Sequence, residues 1–128
     1  MKVMEVVAGV ITADHNLIFC VQRGENSRSY ISKKWEFPGG KIEAGESHEQ
    51  ALVRELKEEL SIEVGNLDHF LTVNHTYPDF RLIMHAYTCK IVQGSPVLTE
   101  HLKLRWLKAP DLKGMDWAAA DIPIVEIL

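Results

Sequence analysis

Apolar and β-branched residues run from Met4 to Thr12, and the polar turn Asp14-His15-Asn16 separates them from a second apolar run, Leu17 to Gln22. The pair predicts a hairpin whose first strand is buried. Gly24 to Lys34 is rich in Ser, Lys and Arg and reads as a loop; lying just before Trp35-Glu36-Phe37, it is a candidate lid over a substrate. From Ser47 onward the period changes. Leu52, Val53, Leu56 and Leu60 form one stripe at helical spacing, and Ser47 with Gln50 has the sequence of a capping box. Strand-like runs return at Ile62 to Val64, Phe70 to Thr76, Arg81 to Val92 and Lys103 to Trp106, with Gly94-Ser95-Pro96 as a connection. A last helix is expected from about Asp121 to the end. Strands surrounding one long helix, with a second helix at the C-terminus, predict an α/β chain in which a mixed sheet packs between helices. No internal repeat or low-complexity segment interrupts the pattern.

Composition narrows the function. A chain of 128 residues buries about two-thirds of its unfolded surface, so one domain over residues 1–128 is expected. The net charge of −4 argues against a broad basic surface for a nucleic acid polymer, while leaving room for a few cations around a nucleotide. Cys20 and Cys89 sit in apolar, strand-like stretches and read as buried, reduced thiols, which points to the cytoplasm. The apolar run Val6 to Ile11 is too short for a membrane span and follows Glu5, so no membrane association is expected.

The chemistry concentrates on the long helix. Glu55 meets Glu58 at i+3 and Glu59 at i+4, spacings at which like charges destabilise a helix by roughly 0.2–0.5 kcal/mol per pair. Glu58 and Glu59 also lie in the last turn, where the helix dipole disfavours anions. A divalent cation with a preference for oxygen ligands, Mg²⁺ or Mn²⁺, turns these penalties into contacts. A solvated acidic face is the alternative reading. Ahead of the helix, Phe37-Pro38-Gly39-Gly40 reads as a turn whose backbone comes close to a ligand, with the Gly39 carbonyl as a further metal ligand. Arg54 is placed to pair with Glu46 and tie the loop to the helix, a supporting role and not a ligand's.

Gly40, Glu46, Arg54, Glu55, Leu56, Glu58, Glu59 and Ile62 match in spacing the Nudix box, Gly-x5-Glu-x7-Arg-Glu-apolar-x-Glu-Glu-x-Gly-apolar, and the chain is identified by this resemblance as Nudix-like. Ser61 departs from the pattern: the family has glycine there, to end the helix in a left-handed conformation, and a Cβ at that position costs about 1 kcal/mol. Beyond the box the chain resembles the MutT-like subgroup and, within it, the CTP pyrophosphohydrolases. The resemblance implies an α/β/α sandwich. It also implies Mg²⁺-dependent hydrolysis of a nucleoside triphosphate at an internal phosphorus, releasing monophosphate and pyrophosphate.

Further residues follow from position. Glu100 resembles the acid that MutT-like enzymes bring from another loop to the metal or its water; alone it reads equally as a solvated loop acid. Either Glu55 or Glu100 can take the water's proton. His101 beside it reads as incidental. Asp121 has the look of a helix N-cap, and its place resembles the family position that reads the base. An ionised Asp121 is acceptor-only and favours a base with an amino group, so cytosine nucleotides are expected to be better substrates than uracil or thymine ones. Oxidised guanine nucleotides are the alternative, and other nucleoside diphosphate derivatives or a non-catalytic binding domain follow behind. Phe37, Tyr77 and Phe80 are candidates to stack on the base or to pack in the core. Arg23 is a candidate phosphate contact or a surface arginine. Trp35, Trp106 and Trp117 read as packing residues. His75 and His85 have no Cys or His partner at zinc spacing, so no zinc site is expected. Composition leaves monomer and homodimer open.

Overall fold

A computed structural model describes residues Met1–Leu128. The elements follow in the order β1 (Lys2–Ala13), β2 (Leu17–Gln22), β3 (Trp35–Glu36), β4 (Gly39–Lys41), α1 (His48–Leu60), β5 (Glu63–Thr76), β6 (Phe80–Gln93), β7 (Lys103–Leu107), α2 (Ala109–Leu112) and α3 (Ile122–Ile127). They build a seven-stranded sheet ordered β3-β2-β1-β6-β5, with β4 added on β1 and β7 on β2. The β1–β6 pairing is parallel and the others are antiparallel, so the sheet is mixed as expected.

Alternation along β1 sets the two layers. Val7 and Ile11 turn toward α1 and join Phe19, Val21, Leu52, Leu56 and Leu60 in one core cluster. Ala8 and Val10 turn the other way and join Cys20, Phe37, Trp117, Ile124 and Val125 in a second. A strand buried on both faces reads as a continuous apolar run, which is why β1 lacks a polar alternation through this stretch. Both cysteines are buried and free, and burial pushes each thiol up to about 12, so neither carries thiolate character. No helix is long and apolar enough to cross a membrane.

Two expectations change in detail, and one element is added. The runs Ile62 to Val64 and Phe70 to Thr76 belong to one strand, β5, because the long partner β6 carries pairing through the polar residues between them. Register shifts between Gly65 and Asp68 and between His69 and Leu71 absorb that segment as bulges. The Gly39-Gly40 turn is instead strand β4, which pairs Gly39 with Ala8 and Gly40 with Val7. Finally, the short helix α2 was not evident in the apolar pattern; Pro110 opens it.

Helix α1 has its full capping box, with Gln50 N–H donating to Ser47 Oγ and Ser47 N–H donating to Gln50 Oε1. At the other end Ser61 takes the left-handed conformation itself, φ 58° and ψ 35°, and its N–H donates to the Lys57 carbonyl at 3.1 Å. Serine thus fills the glycine role with a strained backbone. Ser61→Gly is expected to raise stability by roughly 0.5–1 kcal/mol, after allowance for the extra freedom of the unfolded chain. Urea denaturation measures it, and an unchanged or lowered stability would show that the serine cap is unstrained.

Candidate active site

Two glycines fix the acid face of α1 against the sheet. A Cβ on Gly39 would lie 1.9 Å from the Val7 carbonyl oxygen, so only glycine lets β4 cross β1 at this distance. A Cβ on Gly40 would lie 2.3 Å from Glu55 Cδ, so the missing side chain is the space the Glu55 carboxylate occupies. Arg54 ties the preceding loop to the helix. Its Nε and Nη2 donate to the two oxygens of Glu46 at 2.7 and 2.9 Å, and Nη2 also donates to the Lys41 carbonyl at 3.0 Å. The Arg54 pairing holds the Glu46 carboxyl below its ordinary range, helped by the Glu43 N–H.

A cavity of about 790 Å³ opens beside this face. Glu55, Glu59 and Glu100 line it, together with Gly39 and Gly40. Thr99 Oγ1 donates to the Glu59 carbonyl at 2.9 Å, which ties the Glu100 loop to the end of α1. Burial, then the Glu55 charge, raise the Glu59 carboxyl to about 7, with Glu100 adding to the effect and His101 opposing it. Glu58 is placed differently. Its carboxylate is 61% exposed, stands 3.3 Å from Arg54 Nη1 and does not line the cavity. The i+3 spacing that puts it near Glu55 in sequence leaves it at the helix rim.

Glu36 and His101 also line the cavity, and neither was picked out from the sequence. His101 Nε2 lies 3.4 Å from Glu36 Oε2, and its Nδ1 is buried without a partner. The histidine is therefore built into the wall, not incidental. A buried ring nitrogen with no protein partner is a group that a ligand or water satisfies. Arg23 Nη1 reaches the other Glu36 oxygen at 3.4 Å and stays half-exposed at the mouth.

Part of the lining is aromatic. Phe37, Tyr77 and Phe80 all line the cavity and are all nearly buried. Phe37 stacks on Trp117 at 4.9 Å and Tyr77 on Phe80 at 5.0 Å, so each packs in the core and presents a remaining face or edge to the cavity. Residues of the predicted lid reach these rings. Arg28 pairs with Asp79 at 3.1 Å, Tyr30 hydrogen-bonds the same carboxylate, and the Tyr30 ring stacks on Tyr77 at 5.2 Å. Trp35 packs as expected: it bridges to Trp117, and the Trp117 indole donates to the Leu112 carbonyl at 2.6 Å.

Asp121 requires a correction. It makes no side-chain cap bond to α3; Oδ1 instead accepts from the Phe37 N–H at 3.0 Å. Only 4% of the residue is exposed, and burial, reinforced by the Glu36 charge, raises its carboxyl well above the ordinary value. The helix-cap reading therefore gives way to a buried acid with one oxygen held as an acceptor by the Phe37 N–H.

The three carboxylates and the Gly39 backbone offer an oxygen donor set, with the His101 ring in the same wall. Arg54 has ion pairs with Glu43, Glu46, Glu55 and Glu58 but not with Glu59. Crowded carboxylates that lack enough cationic side chains fit a hard divalent cation.

The NUDIX domain model matches residues 2–126. The chain is 32% identical over 125 residues to the 8-oxo-dGTP diphosphatase of Escherichia coli K12, covering 98% of this chain and 95% of that protein. It is 35% identical over 127 residues to the CTP pyrophosphohydrolase of the same strain, covering 98% and 91%. The solution structure of the E. coli ORF135 protein superposes with a TM-score of 0.81 at 36% identity, over 98% of this chain and 88% of that one.

The burial of Asp121 carries a pH signature. Its folded pKa is raised above the unfolded value, so its contribution to stability is fully present below the unfolded pKa and is lost as pH rises through the folded one. Asp121→Asn keeps an oxygen for the Phe37 N–H and removes that loss. Its melting temperature is expected to exceed the parent's by more at about pH 8 than at about pH 4, in thermal scans across that range. A constant difference across the range would mean that Asp121 is ionised throughout.

Proposed function

The chain belongs to the Nudix family of hydrolases, and from that premise we propose that residues 1–128 act as one domain hydrolysing nucleoside triphosphates, with cytosine nucleotides preferred. The observation that carries the reading is the lining of the cavity, which joins a group of neighbouring carboxylates to a group of stacked aromatics beside a buried acid. A nucleotide has the same division, with phosphates at one end and a base at the other.

Nudix pyrophosphohydrolases use divalent metal ions, and here Mg²⁺, with Mn²⁺ as substitute, is the cation the oxygen donors would hold. Glu55, Glu59, Glu100 and the Gly39 carbonyl are the residues that would hold it, with Glu58 at the rim. When bound, the ion neutralises phosphate charge, polarises phosphorus and lowers the pKa of water. Glu55 or Glu100 accepts the proton as the water oxygen bonds to an internal phosphorus and the anhydride bond breaks, leaving monophosphate and pyrophosphate. Arg54 and Glu46 hold α1 in position, Arg23 meets phosphate at the mouth, and the lid loop excludes water.

At the base end, Phe37, Tyr77 and Phe80 offer apolar faces and edges, and the Asp121 oxygen not held by Phe37 offers an acceptor. That acceptor complements the N4 amino group of cytosine and finds no donor at O4 of uracil or thymine. The same acceptor also fits the N1–H and the N2 amino group of guanine, and one relative named above is an 8-oxo-dGTP diphosphatase, so the oxidised purine is the second reading. The other relative named above is a CTP pyrophosphohydrolase, which supports cytosine.

Glu59→Gln is expected to lower kcat by roughly a hundredfold or more, while Glu58→Gln, at the exposed rim, lowers it by about tenfold or less. Steady-state rates with Mg²⁺ compare the two, and the reverse ranking would move the metal's centre to Glu58. With the parent enzyme, kcat/KM for dCTP is expected to exceed that for dTTP by roughly tenfold to a hundredfold. A clear preference for 8-oxo-dGTP over dCTP in the same panel would overturn the base assignment and leave the metal mechanism standing.

A further inference from the structure

On the far side of β1 from the cavity-lining Met4 and Val6, three side chains from distant parts of the sequence converge. Parallel pairing sets Glu5 beside Ile83 and Val7 beside His85, so Glu5 and His85 rise from the same face of neighbouring strands. Helix α1 opens above them with His48 as its first residue. The His48 and His85 rings stack at 4.0 Å and 18°, and both present Nε2 to the same carboxylate oxygen, Glu5 Oε1, at 3.6 and 2.7 Å. The three ligand atoms lie within 4.8 Å of one another. This is the histidine partner that sequence spacing did not offer His85.

We propose that Glu5, His48 and His85 form a second metal site, selective for a borderline transition dication of the Zn²⁺ class and separate from the carboxylate cluster in the cavity. Two imidazole nitrogens and one carboxylate are a donor set for Zn²⁺ and unsuited to Mg²⁺. Ligand bonds near 2.0–2.2 Å in a tetrahedron put donor atoms roughly 3.3 Å apart, and the observed separations straddle that value.

The outer contacts point the same way. His85 Nδ1 lies 3.1 Å from Thr72 Oγ1, its cross-strand partner, and Thr72 Oγ1 in turn lies 2.8 Å from His69 Nε2. His48 Nδ1 lies 3.5 Å from the Tyr87 hydroxyl. Each ligand histidine thus has its Nδ1 engaged and its Nε2 turned to the shared centre, the arrangement that fixes ring orientation in metal sites. A bound ion would staple the start of α1 to β1 and β6. The ligand side has room for an exogenous fourth ligand, because Glu5 and His48 are 51% and 37% exposed.

Calorimetric titration of Zn²⁺ into the protein in excess Mg²⁺, with thermal scans on the same samples, tests the site. One equivalent of zinc is expected to bind and to raise the melting temperature. His48→Gln and His85→Gln should each weaken binding by more than tenfold, and Thr72→Val, which removes an outer contact, by roughly tenfold. Glu59→Gln should bind zinc like the parent. His48 is half-exposed at a helix start, so His48→Gln remains informative even if the more buried His85→Gln fails to fold. Zinc binding that survives His48→Gln, or that is lost in Glu59→Gln, would assign the ion to the cavity carboxylates and overturn the proposal. No binding in excess Mg²⁺ would reduce the cluster to a hydrogen-bonded network.

Discussion

Backbone lying directly on backbone at Gly39 is the contact on which the rest of the molecule depends. A Cβ there would strike the Val7 carbonyl, and because none is present β4 lies close enough to β1 for the Glu55 carboxylate to fill the space left by the missing Gly40 side chain. Three consequences follow from that one approach. The acid face of α1 is held beside the sheet, the Arg54–Glu46 pair closes the loop between β4 and α1, and Phe37 is delivered to Asp121 just upstream. A side chain at Gly39 would collide with main chain, which has no rotamer to escape into.

The acids themselves are arranged against stability. Glu59 is partly buried beside Glu55 and is pushed to about 7 by burial and by its neighbours. Asp121 is buried in the second core, where the nearby Glu36 charge raises its carboxyl further. The fold offsets these costs with ordinary devices elsewhere: a complete capping box on α1, two apolar layers on a sheet whose central strand is buried on both faces, and an arginine that bonds both oxygens of Glu46. These buried acids are concentrated where chemistry is expected, which is how functional sites are usually distributed.

What could be read in the sequence was local. The helix, its cap, the carboxylate spacing and the Arg54–Glu46 pair lie within about four helical turns, and periodicity and charge reveal them directly. What could not be read was non-local. The Asp121 side chain bonds Phe37, 84 residues away, instead of its own helix, because the Trp35–Trp117 bridge carries the C-terminal segment across β3. His101 and Glu36 meet only once β7 has paired with β2. His48 and His85 meet only through the parallel β1–β6 register, which no spacing along the chain encodes. Glu58 shows the converse. Its spacing was right for a shared face, yet one position of rotation around α1 separates a cavity carboxylate from a rim carboxylate.

Asp121 shows how such a long-range contact fixes geometry. Its Oδ1 accepts from the Phe37 N–H, so the other oxygen is the one left to turn toward the cavity that both residues line. The stacked Tyr77–Phe80 pair, the Phe37 ring and the segment that Arg28 and Tyr30 pin to Asp79 stand around it. A single backbone bond thus sets the orientation of the acid, and the aromatic wall sets the direction from which anything in the cavity can approach it. The two are coupled, because Phe37 supplies both the N–H that holds the carboxyl and a ring of that wall.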